Sequence, residues 1–299
     1  MMDKNKVFVA IAPIVWTNDD LPELGGHISF EQCISEMAEA GYIGSEIGNK
    51  YPRDINVLRS YLEKYNHKIC GQWFSGYILS QPFDKVKKDF TEYMDFLYDT
   101  GARAISFSEQ SFGFQGTPLP IFEHKVIYND DNWKKFTDGI NELGHLAAEK
   151  GMRLCLHHHM GTGVQTEEEV DRFMDMTEPG KVWLLHDAGH LYFAGCDPLK
   201  VLKKYVHRVG HVHLKNVRAN VLQEMRIRRS CFLEAVYAGA FTVPGDPEGA
   251  IDYAPIFQVL EDGGYEGWMM VEAEQDPDIA NPLQYAKMGR EYIRKCTGL

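Results

Sequence analysis

Short apolar runs alternate with amphipathic stretches along the whole chain. Strand-like runs fall at Val7–Ala12, Ile43–Ile47, Ile69–Phe74, Ala104–Ser108, Arg153–His158, Val182–Asp187, Val209–Leu214 and Gly267–Glu272. Each is too short for a buried helix and is bounded by turn residues. Between them apolar positions recur at the helical period, which predicts helices over Phe30–Ala40, Ile55–Tyr65, Asp84–Tyr98, Trp133–Lys150, Glu167–Met176, Pro198–Tyr205, Tyr253–Glu261 and Pro282–Arg294. Ser29 and Thr166 stand where helix N-caps belong, with acidic residues close behind. Gly41, Gly101, Gly151 and Gly263 follow helical runs, as left-handed C-terminal caps do.

Strict alternation of strand and helix implies right-handed βαβ units and a parallel sheet. Eight such units within 299 residues predict an α/β fold of one domain over residues 1–299, a closed (β/α)8 TIM barrel. An open doubly wound sheet would place a glycine-rich phosphate loop after its first strand, and the segment Pro13-Ile14-Val15-Trp16-Thr17-Asn18 has none. The longer stretches Glu109–Asn132 and Asn216–Asp252 are expected to be strand-to-helix loops with short helices that shape the barrel mouth.

A chain of this length buries about 75% of the surface it exposes when unfolded, so it needs no metal or disulfide to hold its core. A metal here would therefore serve chemistry. Lys and Arg total 31 against 43 Asp and Glu, a net charge of −12, which disfavours a nucleic-acid partner. The dense basic run Arg226-Ile227-Arg228-Arg229 reads as a solvated helix face. No apolar run approaches the roughly 20 residues of a membrane span, and no signal-peptide core opens the chain. The six cysteines are scattered without a C-x-x-C pair, as expected for reduced thiols in a cytoplasmic protein. A homo-oligomer is compatible with the sequence.

The predicted strands end in polar and ionisable residues, and in a barrel these ends converge on one mouth. They are Glu46, Glu109, His157-His158-His159, Asp187 with His190 following, His211 with His213, and Glu272 with Glu274. Such groups are costly inside a barrel unless paired or ligated. Residues two apart share a strand face, which groups His157 with His159, His211 with His213, and Glu272 with Glu274. The expected ligands are His157, Asp187, His213 and Glu272, one from each of four strands. This mixed nitrogen and oxygen shell suits Mn²⁺, Co²⁺, Zn²⁺ or Fe²⁺ better than Ca²⁺. Glu46 and Glu109 read either as structural partners of basic groups or helix ends, or as groups acting on substrate. The bland reading of Trp73 is a core or pocket wall, and that of Gly161-Thr162-Gly163 is a turn.

Longer strings carry a resemblance. Ala12-Pro13-Ile14 with Trp16-Thr17-Asn18-Asp19-Asp20, Gly44-Ser45-Glu46 with Gly48-Asn49-Lys50-Tyr51-Pro52, and His157-His158-His159-Met160-Gly161-Thr162-Gly163-Val164-Gln165-Thr166 resemble the inosose dehydratases of the xylose isomerase-like barrel superfamily. So do His211-Val212-His213-Leu214-Lys215, Phe241-Thr242-Val243-Pro244-Gly245-Asp246 and Val271-Glu272-Ala273-Glu274-Gln275-Asp276-Pro277. The wider superfamily holds its metal with Glu, Asp, His or Gln, and Glu from strands five to eight. Asp187, His213 and Glu272 match the last three, whereas the fifth-strand position is His157, with His159 as rival. Two further departures are Ala188 in Asp187-Ala188-Gly189-His190, where relatives carry Thr, and Asn216 where they carry Asp.

The resemblance implies dehydration of 2-keto-myo-inositol (scyllo-inosose), a cyclic polyol ketone, through an enolate held by Mn²⁺ or Co²⁺, with Zn²⁺ or Fe²⁺ as alternatives. Glutathione enters as a family requirement only, and no segment reads as a site for it. Glu46, Glu109, His190 and Lys215 are the candidate catalytic residues. Trp16, Trp73, His159, Thr162 and Glu274 are the candidate substrate contacts. The same scaffold and metal set would also serve a ketose isomerase or epimerase, which product analysis on scyllo-inosose separates from a dehydratase. A metal-dependent endonuclease would need a basic track, which the charge opposes. A non-catalytic sugar-binding module would gain nothing from so many buried charges.

Overall fold

The computed structural model describes all 299 residues. Eight parallel strand positions close a barrel: β1 (Val7–Ile11), β2 (Gly44–Glu46), the consecutive pieces β3 (Lys68–Gly71) and β4 (Trp73–Gly76), β5 (Ala104–Glu109), β6 (Arg153–His157), β7 (Val182–Asp187), β8 (Val209–Leu214) and, after two further short strands, a last one at Gly267–Val271. The short strands are β9 (Asn216–Val217) and β10 (Phe241–Thr242), an antiparallel pair above the mouth, so the last barrel strand is β11. Seven strands form one ladder in the order β1-β11-β8-β7-β6-β5-β4, and β2 pairs with β3. The third strand breaks at Gln72, one piece pairing with β2 and the other with β5. The seam between β1 and β2 carries one long bond, from Ile43 N–H to the Val9 carbonyl at 3.5 Å.

Helices α1 (Phe30–Glu39), α2 (Ile55–Lys64), α3 (Phe83–Asp99), α4 (Asp130–Glu149), α5 (Glu167–Met176), α6 (Ala188–Phe193), α7 (Pro198–Tyr205), α8 (Ala219–Ile227), α9 (Phe232–Tyr237), α10 (Ala254–Asp262) and α11 (Pro282–Thr297) complete the chain. The cap of α1 is the expected one: Ser29 Oγ accepts from Gln32 N–H at 3.2 Å. Glu169 reaches back to the Thr166 N–H at 3.0 Å at the start of α5. The left-handed cap after α10 falls on Gly264 (φ 67°) and not on Gly263, one residue past the expected position.

The two long loops differ from each other. Residues 110–129 hold turns and no helix, whereas 216–252 build the β9–β10 pair with α8 and α9. No helix is long and apolar enough to cross a membrane. The six cysteines are free.

Apolar side chains sort by strand alternation. Val9, Ile11, Met269 and Val271 pack outward with Met37, Phe257, Ala286 and Ile293 of the helices. Ala10, Ala12 and Met270 alternate with them and meet Cys70 inside the barrel. Three of these four inward residues are small, where a barrel usually stacks bulky branched ones. The space above them is the cavity.

Candidate metal centre and active site

The C-terminal strand ends enclose a cavity of about 450 Å³. Its walls include Glu46 from β2, Gln72 and Trp73 from the third strand, His157 and His159 at β6, His213 from β8, and Glu272 and Glu274 beyond β11. The predicted pairings of His157 with His159 and of Glu272 with Glu274 thus face one space.

The four expected ligands come together. Asp187 and His213 are register partners on β7 and β8. His157 Nε2 lies 3.2 Å from Asp187 Oδ2, His213 Nδ1 lies 3.6 Å from the same oxygen, and His213 Nδ1 lies 2.5 Å from Glu272 Oε2. Ligand atoms that share one ion at roughly 2.0–2.2 Å stand about 3 Å apart, and these separations bracket that value. Neither ring nitrogen of His213 makes a directed hydrogen bond, despite the short approach to Glu272. Atoms aimed at a common point instead of at each other produce this pattern.

Charge makes the same case. The Lys215 ammonium is completely buried, 2.8 Å from Glu272 Oε1, 3.1 Å from Glu274 Oε2 and 3.6 Å from Asp187 Oδ2. The Lys215 ammonium faces three buried carboxyl groups, two of which, Asp187 and Glu272, stay ionised and could hold a divalent ion that displaces the proton of His213. Burial opposes ionisation of Asp187 and Glu272, yet Lys215 and the neighbouring imidazoles outweigh it and hold both well below the usual carboxylate range. Glu274 goes the other way. Burial pushes it up to about 7, with Lys215 restraining the rise. Burial also opposes charge on His213, but Glu272, Asp187 and Glu46 together raise its pKa well above the ordinary value. His157 and His159 are lowered by burial, His159 to about 3, so both are neutral imidazoles.

Around these ligands Glu46 Oε1 accepts from Ser106 Oγ at 2.9 Å and lies 3.6 Å from His213 Nε2. Trp73 stands edge-on to His157 and His159, with ring centroids 5.2 and 5.6 Å away. His159 Nδ1 is 2.8 Å from the Met160 carbonyl, which only accepts, so Nδ1 carries the proton and Nε2 is left as an acceptor.

Besides the fully buried Asp187, five expected site residues lie off the cavity wall. Trp16 is fully buried against the apolar side of the barrel, its indole N–H donating to Glu36 at 2.6 Å. Both oxygens of Glu109 are taken by backbone N–H groups, of Ile78 at 2.9 Å and Ser111 at 3.0 Å, so this carboxylate anchors two loops. Thr162 Oγ1 closes the turn through the carbonyls of His159 and Val164, at 2.8 and 3.0 Å. The His190 ring does not reach the cavity wall. Asp187 caps α6 by accepting the His190 N–H at 2.9 Å, and the ring lies behind His159, centroids 3.8 Å apart. Lys215 Nζ meets His190 Nε2 at 3.0 Å, so neither group faces the open space.

Other wall residues escaped the sequence reading. Gln72 occupies the break in the third strand, a position alternation could not flag. Asp19 and Asp20 line the cavity from the loop after β1, and they stand in the first quoted string without having been given a role. Lys50, half-buried, donates to the carbonyls of Gly25, Gly26 and Ile28 at 2.9, 2.9 and 2.5 Å and so ties down that loop. His211, the strand-end residue that alternation pairs with His213, is off the wall, its Nε2 3.9 Å from Glu46 Oε1 and both ring nitrogens without a partner.

Residues 34–296 match the family model described as a xylose isomerase-like TIM barrel. Among curated proteins, the chain is 53% identical over 300 residues to an inosose dehydratase of Geobacillus thermodenitrificans, with 100% of both chains covered. It is 53% identical over 299 residues to one of Clostridium perfringens, again with full coverage of both. The solved structure of the IolI protein with a bound zinc atom superposes with a TM-score of 0.72 over 98% of this chain and 100% of that one, at 15% identity. D-Allulose 3-epimerase from Methylomonas sp., in complex with D-allulose, reaches a TM-score of 0.69 at 18% identity, covering 97% of each chain. At those identities the two structures establish the fold alone. Their barrel, the family model and the full-length likeness to the dehydratases agree: this chain belongs to the inosose dehydratases within the xylose isomerase-like TIM barrel family.

Proposed function

We propose that this protein is a metal-dependent hydro-lyase that converts 2-keto-myo-inositol (scyllo-inosose) to a trihydroxycyclohexanedione and water in inositol breakdown. The observation that carries this reading is the 53% identity, end to end, with inosose dehydratases. The cavity supports it: a volume of about 450 Å³ suits a six-membered polyol, and its wall is rich in carboxylates, amides and imidazoles that can meet ring hydroxyls.

His157, Asp187, His213 and Glu272 would hold the divalent ion, with Mn²⁺ or Co²⁺ favoured by the two carboxylates and Zn²⁺ or Fe²⁺ compatible with the imidazoles. Bound there, it would supply Lewis-acid stabilisation of the negative charge that grows on the ketone oxygen. The chain's own groups do the rest. Glu46 has Oε1 fixed by Ser106, which leaves Oε2 to take the proton from the carbon beside the ketone. Glu274, with its pKa near 7, is half-protonated at neutral pH and suited to donate a proton to the departing β-hydroxyl. The C–H electron pair becomes the new double bond as the C–OH bond breaks, and the resulting enol tautomerises to the dione. The acceptor Nε2 of His159 and the face of Trp73 orient the ring. Lys215 and His190 position Glu272, Glu274 and Asp187 from behind.

The test is His213→Ala, read as bound metal per chain and turnover of scyllo-inosose. Both are expected to fall to background. Unchanged metal and turnover would overturn the assignment. A product from scyllo-inosose that is an epimer or isomer, and not the dione, would overturn the reaction.

A further inference from the structure

Lys215 stands in the place of a cation. Its Nζ has four ligand atoms around it: Glu272 Oε1 at 2.8 Å, His190 Nε2 at 3.0 Å, Glu274 Oε2 at 3.1 Å and Asp187 Oδ2 at 3.6 Å. An ordinary buried lysine needs one carboxylate. Here the surrounding groups are of the kind that hold metals, and His159, His190 and Glu274 alone bring ligand atoms within 4.8 Å of one another. This is a second cluster, separate in its members from His157, Asp187 and His213.

Glu272 joins the two clusters. Its Oε2 approaches His213 at 2.5 Å and its Oε1 approaches Lys215 at 2.8 Å, one oxygen for each side. Asp187 Oδ2 is likewise shared, 3.2 Å from His157 Nε2 and 3.6 Å from the ammonium. Carboxylates that offer an oxygen to each of two neighbouring positions are the means by which paired cations are held side by side. In this chain one of the two positions is filled by a covalently tethered ammonium.

We propose that the Lys215 ammonium occupies the second cation position of a two-cation centre, so that a cluster with donors enough for two divalent ions takes up one. The inference rests on the reading of His157, Asp187, His213 and Glu272 as ligands. Its consequence is chemical. A fixed charge on a side chain cannot exchange or offer an open coordination position to substrate. It holds Glu272 and Glu274 in place and leaves a single ion to meet the ketone.

The experiment is metal stoichiometry of metal-stripped, reloaded protein by equilibrium dialysis with Mn²⁺, alongside electron paramagnetic resonance of the bound ion. Wild type is expected to hold one Mn²⁺ per chain with the spectrum of an isolated ion. Lys215→Met keeps the length and removes the charge. It is expected to gain a second ion, with the spectrum changed by coupling between ions roughly 3.5–4 Å apart. Lys215→Arg, which retains a cation, is expected to stay at one, and Lys215→Met with Glu274→Gln is expected to lose the added ion.

Two ions in wild type, or in Lys215→Arg, would overturn the proposal whether or not the Met variant folds. A folded Lys215→Met protein that stays at one ion would also overturn it. No ion in wild type would remove the metal centre itself, and the proposal with it, a result distinct from the other two.

Discussion

Lys50 offers a quantitative test of how the cavity is closed. Its ammonium donates to three carbonyls, of Gly25, Gly26 and Ile28, in the loop that carries Asp19 and Asp20 to the cavity wall. A hydrogen bond from a charged donor is worth about 1.5–3 kcal/mol net. Three on one ammonium do not add, and Gly26 is exposed, so water recovers part of the loss. The clamp as a whole is then worth about 2–3 kcal/mol. The loop keeps other ties: Asn18 Oδ1 accepts from Asp20 and Leu21 N–H, both at 2.9 Å, and Leu21 and Leu24 are buried. Lys50→Met should therefore loosen this loop without unfolding the barrel. If Asp19 and Asp20 hold ring hydroxyls, about 2–3 kcal/mol of lost closure raises KM for scyllo-inosose by roughly 30- to 150-fold at most, each 1.4 kcal/mol being tenfold. The chemical groups beneath are untouched, so kcat should change far less. Steady-state kinetics give the split, and limited proteolysis of residues 16–28 reports the loop directly. A variant whose loop becomes protease-sensitive while KM stays at the wild-type value would refute the substrate role of the two aspartates. A loop as protected as in wild type would refute the clamp.

Other consequences are independent of that loop. Glu46→Gln keeps an acceptor for Ser106 but removes the base, so kcat should fall by about 10²–10⁴-fold with bound metal unchanged; loss of metal would instead make Glu46 a ligand. In metal-free protein, Glu274 has its pKa raised from 4.5 to about 7, so its contribution to stability is present below pH 4.5 and is lost as pH rises toward 7. Chemical denaturation should show wild type losing stability relative to Glu274→Gln across that window, and a constant difference would contradict the burial argument. Asp187 and Glu272, both held low, act with the opposite sign, and their contribution is lost on acidification. Gly76→Ala would place a methyl 2.0 Å from the buried Phe107 ring, an overpacking cost of about 1–3 kcal/mol that thermal unfolding should register as a lowered Tm.

Periodicity alone carried the architecture. All eight strand positions and the helices between them were legible, because a parallel strand buried on both faces reads as a short apolar run and its packed helix as a 3.6-residue stripe. The polar strand ends were legible for the same reason: imidazoles and carboxylates that interrupt such runs must meet somewhere polar. Alternation also placed His157 with His159 and Glu272 with Glu274 on one face. Which of these groups touch the open space was decided only by the tertiary structure. Glu109, Trp16 and Thr162 are of the right types in the right strings, yet each is turned to a partner far away in sequence or to its own turn, which local pattern does not encode. His190 and Lys215 are candidate catalytic residues by sequence, but the N-cap formed by Asp187 and the burial of the ammonium keep both off the cavity wall. Gln72, Asp19, Asp20 and Lys50 owe their positions to a strand break and to a loop folded over the mouth. A chain's periodicity fixes which face a residue takes. How far a side chain reaches, and what it meets, depends on the strands and loops that closure of the barrel brings beside it.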